Sequence, residues 1–239
     1  LGYSFEYHEC VTSLVTRTFP VTLSVAVGAF ALWMFIGVGL GTLAALKRGK
    51  WQDRFATTFS VVGISLPTFF VGLLAVLVVV IWTGFMDFPE YVGITENPVK
   101  WFTALILPWC TLAIVSASTY VRLTRNGILE VMNEEFVRLG LAKGVKRRTL
   151  IVKYVMRAAM VPIVTIAGLD FAALLGGAVI TESVFNLPGM GKLSIKAVSD
   201  SDLPVLVATT LVAAVLIVLA NAVVDIAYGF LDPRVREKS

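Results

Sequence analysis

The chain has 239 residues, of which 57% are hydrophobic and 15% charged, and its mean hydropathy is +0.85; an ordinary soluble domain carries about 25% charged residues. That composition excludes a soluble domain, a disordered tail, a disulfide-stapled secreted module and most nucleic-acid binders, because too few polar groups remain to solvate such surfaces. The formal net charge of +4 would point to an anionic partner if it were evenly spread, and it is not.

The charge-free intervals define the predicted elements. Between Arg17 and Lys47 lie 29 uncharged residues, between Arg54 and Asp87 another 32, between Lys100 and Arg122 another 21, and between Asp202 and Asp225 another 22. A helix needs about 20 apolar residues to cross a hydrocarbon core of about 30 Å. A fifth interval, Ala158 to Thr181, has 24 residues interrupted only by Asp170. Five spans follow: Thr22 to Leu46, Ala56 to Trp82, Phe102 to Val121, Pro162 to Ile180 and Leu203 to Tyr228. Before them lies a leader (1–21), within 22–232 a polar segment (130–157), and after them a tail (233–239).

Of the 20 Lys and Arg residues, 16 fall in three alternate connections: four between Lys47 and Arg54, nine between Arg122 and Arg157, and three from Arg234 onward. The other side carries four. The positive-inside rule therefore predicts a multi-pass protein of the plasma or inner membrane with its C-terminus in the cytoplasm and its leader outside. A leader outside, with no apolar run to carry it there, predicts a membrane helix or a signal upstream of Leu1, and six spans rather than five.

Within the spans, Gly37, Gly41 and Ala45 recur every four residues on one face, the pattern that lets another helix backbone approach closely. Pro67, in Ser65-Leu66-Pro67, removes a backbone donor and predicts a kink in span two. Asp170 is the most expensive residue, because a carboxylate at mid-span costs about 2.5–3.5 kcal/mol on insertion scales. It either lines a wet cavity that contacts a cationic substrate group or links to a neighbouring helix. Asn221, Asp225 and Tyr228 share one face near the end of span five, where packing or capping is the simpler role.

Catalytic chemistry is not evident. His8 is the lone histidine, with no metal partner or nucleophile beside it. Cys10 and Cys110 lie at different depths, with no ligand spacing. Gly189 to Ser194 only superficially resembles a phosphate loop, since Asn186 and Leu193 stand where that motif needs Gly and Ser or Thr. The chain is therefore expected to be no enzyme, to hold no metal and no cofactor. The segment Arg122 to Arg157 reads as helical, with apolar knobs at Met132, Phe136, Leu139 and Val145 and a stop at Gly144. Its basic residues suit anionic membrane lipid, and its knobs suit a cytoplasmic protein partner.

Several motifs in order carry a resemblance. They are Gly2-Tyr3-Ser4-Phe5, Phe19-Pro20-Val21-Thr22-Leu23, Gly37 to Gly41 with Trp51-Gln52-Asp53-Arg54, Ser65 to Phe69, Arg122-Leu123-Thr124-Arg125, Phe136 to Gly144, Thr181 to Phe185 with Leu187 to Gly191, and Leu231-Asp232-Pro233-Arg234. From Leu1 to Arg236 the sequence resembles the permease subunits of ATP-binding-cassette importers, in the dipeptide, oligopeptide and nickel permease family, and within it the first of two paired permeases. The resemblance implies an all-α, polytopic bundle of the type I importer kind. It implies a heterodimer with a second permease, two separate ATPase subunits that carry ATP and Mg, and an external substrate-binding protein. It makes Glu134, Glu135, Phe136, Val137, Arg138, Leu139, Gly140, Ala142, Lys143, Gly144 and Val145 the segment that couples to the ATPases. Asp170, Ser65, Pro67 and Glu182 become candidates for the translocation path. Two departures stand out: Arg138-Leu139-Gly140 occupies the register of the usual Glu-Ala-Ala, and Asp170 replaces an uncharged polar residue. Peptides are the implied cargo, with nickel chelates or glutathione as variants. A proton-coupled carrier using Asp170, or a membrane scaffold that transports nothing, are the readings from other classes.

Overall fold

Long apolar runs with few polar groups leave the backbone one way to satisfy its hydrogen bonds within a bilayer, which is to coil into helices. The structure, a computed structural model, describes residues 1–231, except for the side chains at 224, 225 and 227–231. Among the described residues, a short hairpin, β1 (Tyr3–Ser4) and β2 (Glu9–Cys10), precedes ten α-helices. These are α1 (Val11–Leu46), α2 (Trp51–Ser65), α3 (Thr68–Ala75), α4 (Pro98–Met132), α5 (Glu135–Ala142), α6 (Arg147–Leu150), α7 (Met156–Leu175), α8 (Val179–Val184), α9 (Met190–Ser199) and α10 (Leu203–Leu231). Stretches of π-helix, Val76–Trp82 and Ile151–Val155, continue α3 and join α6 to α7. Among the described residues, four helical segments are long and apolar enough to cross a membrane, and the broken pair α2 and α3 with its π-helical extension makes a fifth if counted as one span.

The five predicted spans are all present, with shifted ends. The first helix starts at Val11, eleven residues before the predicted Thr22, because Val11, Leu14 and Val15 pack with Leu193, Ala197, Val205 and Ala208 in a buried cluster. Span two is broken rather than merely kinked: α2 stops at Ser65, and Pro67 (φ −63°, ψ 137°) is extended before α3 resumes. Span four stops at Leu175, short of the predicted Ile180, because the backbone turns at Gly176 and Gly177, the latter at φ +124°. Of the predicted face Asn221, Asp225 and Tyr228, the last two side chains lie outside the described residues, as does the tail 233–239.

The chain divides into two compact units, Leu1–Leu32 with Leu66–Ala113 and Asp170–Asn221, and Trp33–Ser65 with Ile114–Leu169 and the chain from Ala222. In the first, the leader is anchored through Asp202. Its carboxylate accepts a hydrogen bond from the Ser4 hydroxyl, and it caps α10 by accepting from the Val205 amide at 3.3 Å. The Ser4 oxygen in turn accepts from the Tyr7 amide at 3.0 Å. Gly28 lies under the Trp109 ring, where a Cβ would sit 2.0 Å from it, and the indole N–H donates to the Ser24 carbonyl at 3.0 Å.

In the second unit, the glycine face of α1 meets α4. A Cβ on Gly37 would lie 2.5 Å from Tyr120, and one on Gly41 2.6 Å from Thr124. The paired residues advance together, so α1 and α4 run parallel. Against α2, α4 runs the other way: Asp53 pairs with Arg125, while Ser60, further along α2, donates to the Ser118 carbonyl at 2.7 Å, earlier in α4. Gly63 admits the Ser118 hydroxyl at a point where a Cβ would sit 1.8 Å away. These contacts are the physical content of small-residue packing in a membrane, where close backbone approach replaces the hydrophobic drive.

Candidate functional site

The segment between the third and fourth spans is built as an elbow. α4 ends at Met132, Glu134 is extended (φ −64°, ψ 150°), and α5 follows for eight residues. Its far end closes in a Schellman motif: the Gly144 amide donates to the Leu141 carbonyl at 3.0 Å, and the Val145 amide to the Gly140 carbonyl at 3.1 Å. That closure needs the first of the two donor residues to be left-handed, and Gly144 has φ +80°. Val145 then leads into α6.

One side of the elbow is anchored and the other is open. Val137 and Leu150 are buried with Ala45, Ile128, Val155 and Ala159, and Val145 packs against that cluster. Gly140 faces Leu150, whose Cδ1 would lie 2.7 Å from an added Cβ. Phe136, Leu139 and Leu141 point outward with 43%, 59% and 48% of their surface exposed. Glu134, Glu135, Arg138, Ala142, Lys143 and Gly144 are exposed around them. Three large apolar side chains within six residues of a charged helix form a knob left exposed among the described residues; clustered exposed apolar side chains rimmed by charge are common at protein-docking patches.

The four path candidates occupy different settings. Asp170 is exposed on α7, with Ile166, Leu169 and Ala173 on the same side, while Ala172 is buried and Phe171 packs on Phe30 at 4.9 Å between ring centroids. Ser65 and Pro67 are exposed at the break, the Ser65 hydroxyl donating to the Val61 carbonyl at 2.9 Å. Glu182 is fully buried. Its carboxylate accepts from the Thr22 hydroxyl at 2.7 Å and from the Lys192 amide at 3.0 Å, and Thr22 itself accepts from the Met190 amide at 2.8 Å. Glu182 thus caps the start of α9 from another helix, satisfying amides that a helix N-terminus leaves without partners. The fit leaves no spare room: a Cβ on Gly189 would lie 2.3 Å from the carboxyl group. Burial pushes the Glu182 carboxyl above its ordinary value, against the pull of the Thr22 hydroxyl and the Lys192 and Gly191 amides.

Sequence reasoning did not foresee two polar links. Asp53, nearly buried, receives Arg125 through Nε at 2.6 Å and Nη2 at 3.1 Å, and the Gly49 amide at 2.8 Å. The Glu182 cluster is the other. The only signal for either was that these residues lie in the quoted motifs, Trp51 to Arg54, Arg122 to Arg125 and Thr181 to Gly191.

These helices, broken at Pro67 and joined by an outward-facing elbow, define a polytopic, all-α membrane protein. The fold matches that of the MetNI methionine ABC transporter in its inward-facing conformations, with a TM-score of 0.70 over 92% of this chain and 97% of that one, at 16% identity. Residues 37–237 match the family described as the binding-protein-dependent transport system inner membrane component. The dipeptide transport system permease protein of Haemophilus influenzae is 35% identical over 98% of this chain and 76% of its own length. The glutathione transport system permease protein of Escherichia coli O6:H1 is 34% identical over 100% of this chain and 75% of its own. The chain therefore belongs to the binding-protein-dependent transport system inner membrane component family.

Proposed function

We propose that this chain is the membrane permease subunit of an ATP-driven peptide importer, forming half of the path and coupling it to ATPase subunits on other polypeptides. The observation that carries the reading is the elbow. Val137 and Leu150 tie it to the ends of α1, α4 and α7, while Phe136, Leu139 and Leu141 face away. A rigid knob packed on three spans transmits a push from an ATPase surface to those spans as a rotation or shift, the kind of movement that alternates access. ATP and Mg reside on the partner ATPases, a second permease completes the path, and an external binding protein delivers cargo. The 16 Lys and Arg residues in the alternate connections support a cytoplasmic elbow and C-terminus.

On this reading Asp170, with its exposed apolar neighbours, faces the second permease or the path. Ser65 and Pro67 form the joint at which span two bends, and Glu182 holds the outer segment α8–α9 on α1. Peptides are the favoured cargo because the relatives are named for dipeptide and glutathione transport. The test is uptake of labelled di- and oligopeptides into proteoliposomes holding the full chain with its partner subunits. Uptake that needs internal ATP hydrolysis and survives collapse of the proton gradient supports the proposal. Uptake that ignores ATP and stops with the gradient overturns it in favour of a proton-coupled carrier.

A further inference from the structure

α2 and α4 pass from charged to apolar sequence at one level. Arg54 is the last charge before 32 uncharged residues, and Arg122 is the first after 21. The Asp53–Arg125 ion pair and the Ser60–Ser118 hydrogen bond fix the two helices in that register. Between them opens a groove of about 290 Å³ whose lining includes Thr57, Val61, Val121, Arg122 and Asn126. A groove at the level where two spans become charged sits at the headgroup layer of a bilayer.

The groove offers donors above an apolar wall. Arg125 is neutralised by Asp53, whereas Arg122 is exposed and has no partner among the described residues. The Asn126 carbonyl oxygen accepts from Arg125 Nη1 at 3.3 Å, which leaves its NH₂ as a donor. Thr57 is exposed at the rim. Among the described residues, none that lines the groove is acidic. Below the donors, Val61 is 59% exposed and Ile64, one turn further along α2, is 46% exposed.

We propose that this groove binds an anionic phospholipid, with Arg122, Asn126 and Thr57 donating to the headgroup phosphate and an acyl chain lying along Val61 toward Ile64. A guanidinium suits a phosphodiester geometrically and electrostatically. The apolar wall beneath selects a lipid over a free anion. The assignment depends on the spans alone and is independent of what the protein transports.

The test is native mass spectrometry of the full chain with its co-purifying subunits, delipidated in detergent and titrated with dioleoyl phosphatidylglycerol or dioleoyl phosphatidylcholine. Phosphatidylglycerol binds more tightly. Arg122→Gln weakens that binding about tenfold or more, the worth of one charge-assisted hydrogen bond, and leaves phosphatidylcholine binding unchanged. Arg122→Lys keeps part of the preference, and Lys50→Gln, which removes an equal charge from an exposed residue of a basic connection, keeps all of it. Thermal unfolding in phosphatidylcholine confirms that the variants are folded. Equal binding by wild type and Arg122→Gln overturns the proposal, as do equal losses in Arg122→Gln and Lys50→Gln. Displacement of the lipid by soluble glycerol phosphate overturns it in favour of a free-anion site.

Discussion

Replacing Gly144 tests the elbow through its backbone alone. Its φ is +80°, and a Cβ built on it meets nothing within 4 Å, so within this chain the effect of a side chain comes from the left-handed conformation and not from a clash. For an L-residue that conformation costs about 1–2 kcal/mol, and less for Asn, whose short polar side chain tolerates it. A loss of that size lowers the population of the closed elbow about 5- to 30-fold relative to the opened one, releasing the bonds from Gly144 to Leu141 and from Val145 to Gly140. The assay is co-purification of the ATPase subunits and substrate-stimulated hydrolysis in the reconstituted complex, with membrane insertion measured separately. Insertion is expected to be unchanged throughout. Coupling falls furthest for Gly144→Val, whose branched side chain is worst in that region, less for Gly144→Ala, and least for Gly144→Asn. Full coupling in all three, or Asn as damaging as Val, refutes the backbone argument.

Asp53→Asn leaves the Arg125 guanidinium without its counter-ion and lowers stability by about 3 kcal/mol; in denaturant titrations the double variant Asp53→Asn, Arg125→Met recovers most of that loss, and additive losses contradict a direct pair. Because the folded state holds the Glu182 proton more tightly than the unfolded state, its contribution to stability is full below the ordinary value of 4.5 and declines as pH rises through the raised folded value. Thermal unfolding across that window shows the decline, and Glu182→Gln flattens it; an identical slope in the variant contradicts the assignment. Asp170→Asn preserves assembly and changes the rate or preference of uptake, whereas loss of the assembled complex indicates that Asp170 serves as a link between helices.

Much of this was legible because membrane spans are written in composition. Four charge-free runs, and a fifth interrupted only by Asp170, pointed to five spans, and the four-residue rhythm of Gly37, Gly41 and Ala45 marked a packing face that α4 occupies. Gly144 was readable as a stop because a glycine closing a short amphipathic stretch has few other uses. The ends of the elements were not legible. Val11 starts α1 because of residues in α9 and α10, nearly two hundred positions away, and no local pattern reports that. Nor does spacing reveal Asp53 with Arg125, or Glu182 with Thr22 and the start of α9, since such pairs exist only once separate helices are laid side by side. Glu182 read as a candidate for the path, and in the fold it is buried, bonded to Thr22 and to the start of α9.

Seating of the elbow against an ATPase can be tested directly. A photo-crosslinking amino acid at Leu139, 59% exposed on the open side of α5, reports what lies there in the assembled complex. The account predicts an adduct with an ATPase subunit, absent when the same reporter replaces Val215 on the exposed face of α10. An adduct at Leu139 only with lipid, or none with any ATPase subunit, contradicts it.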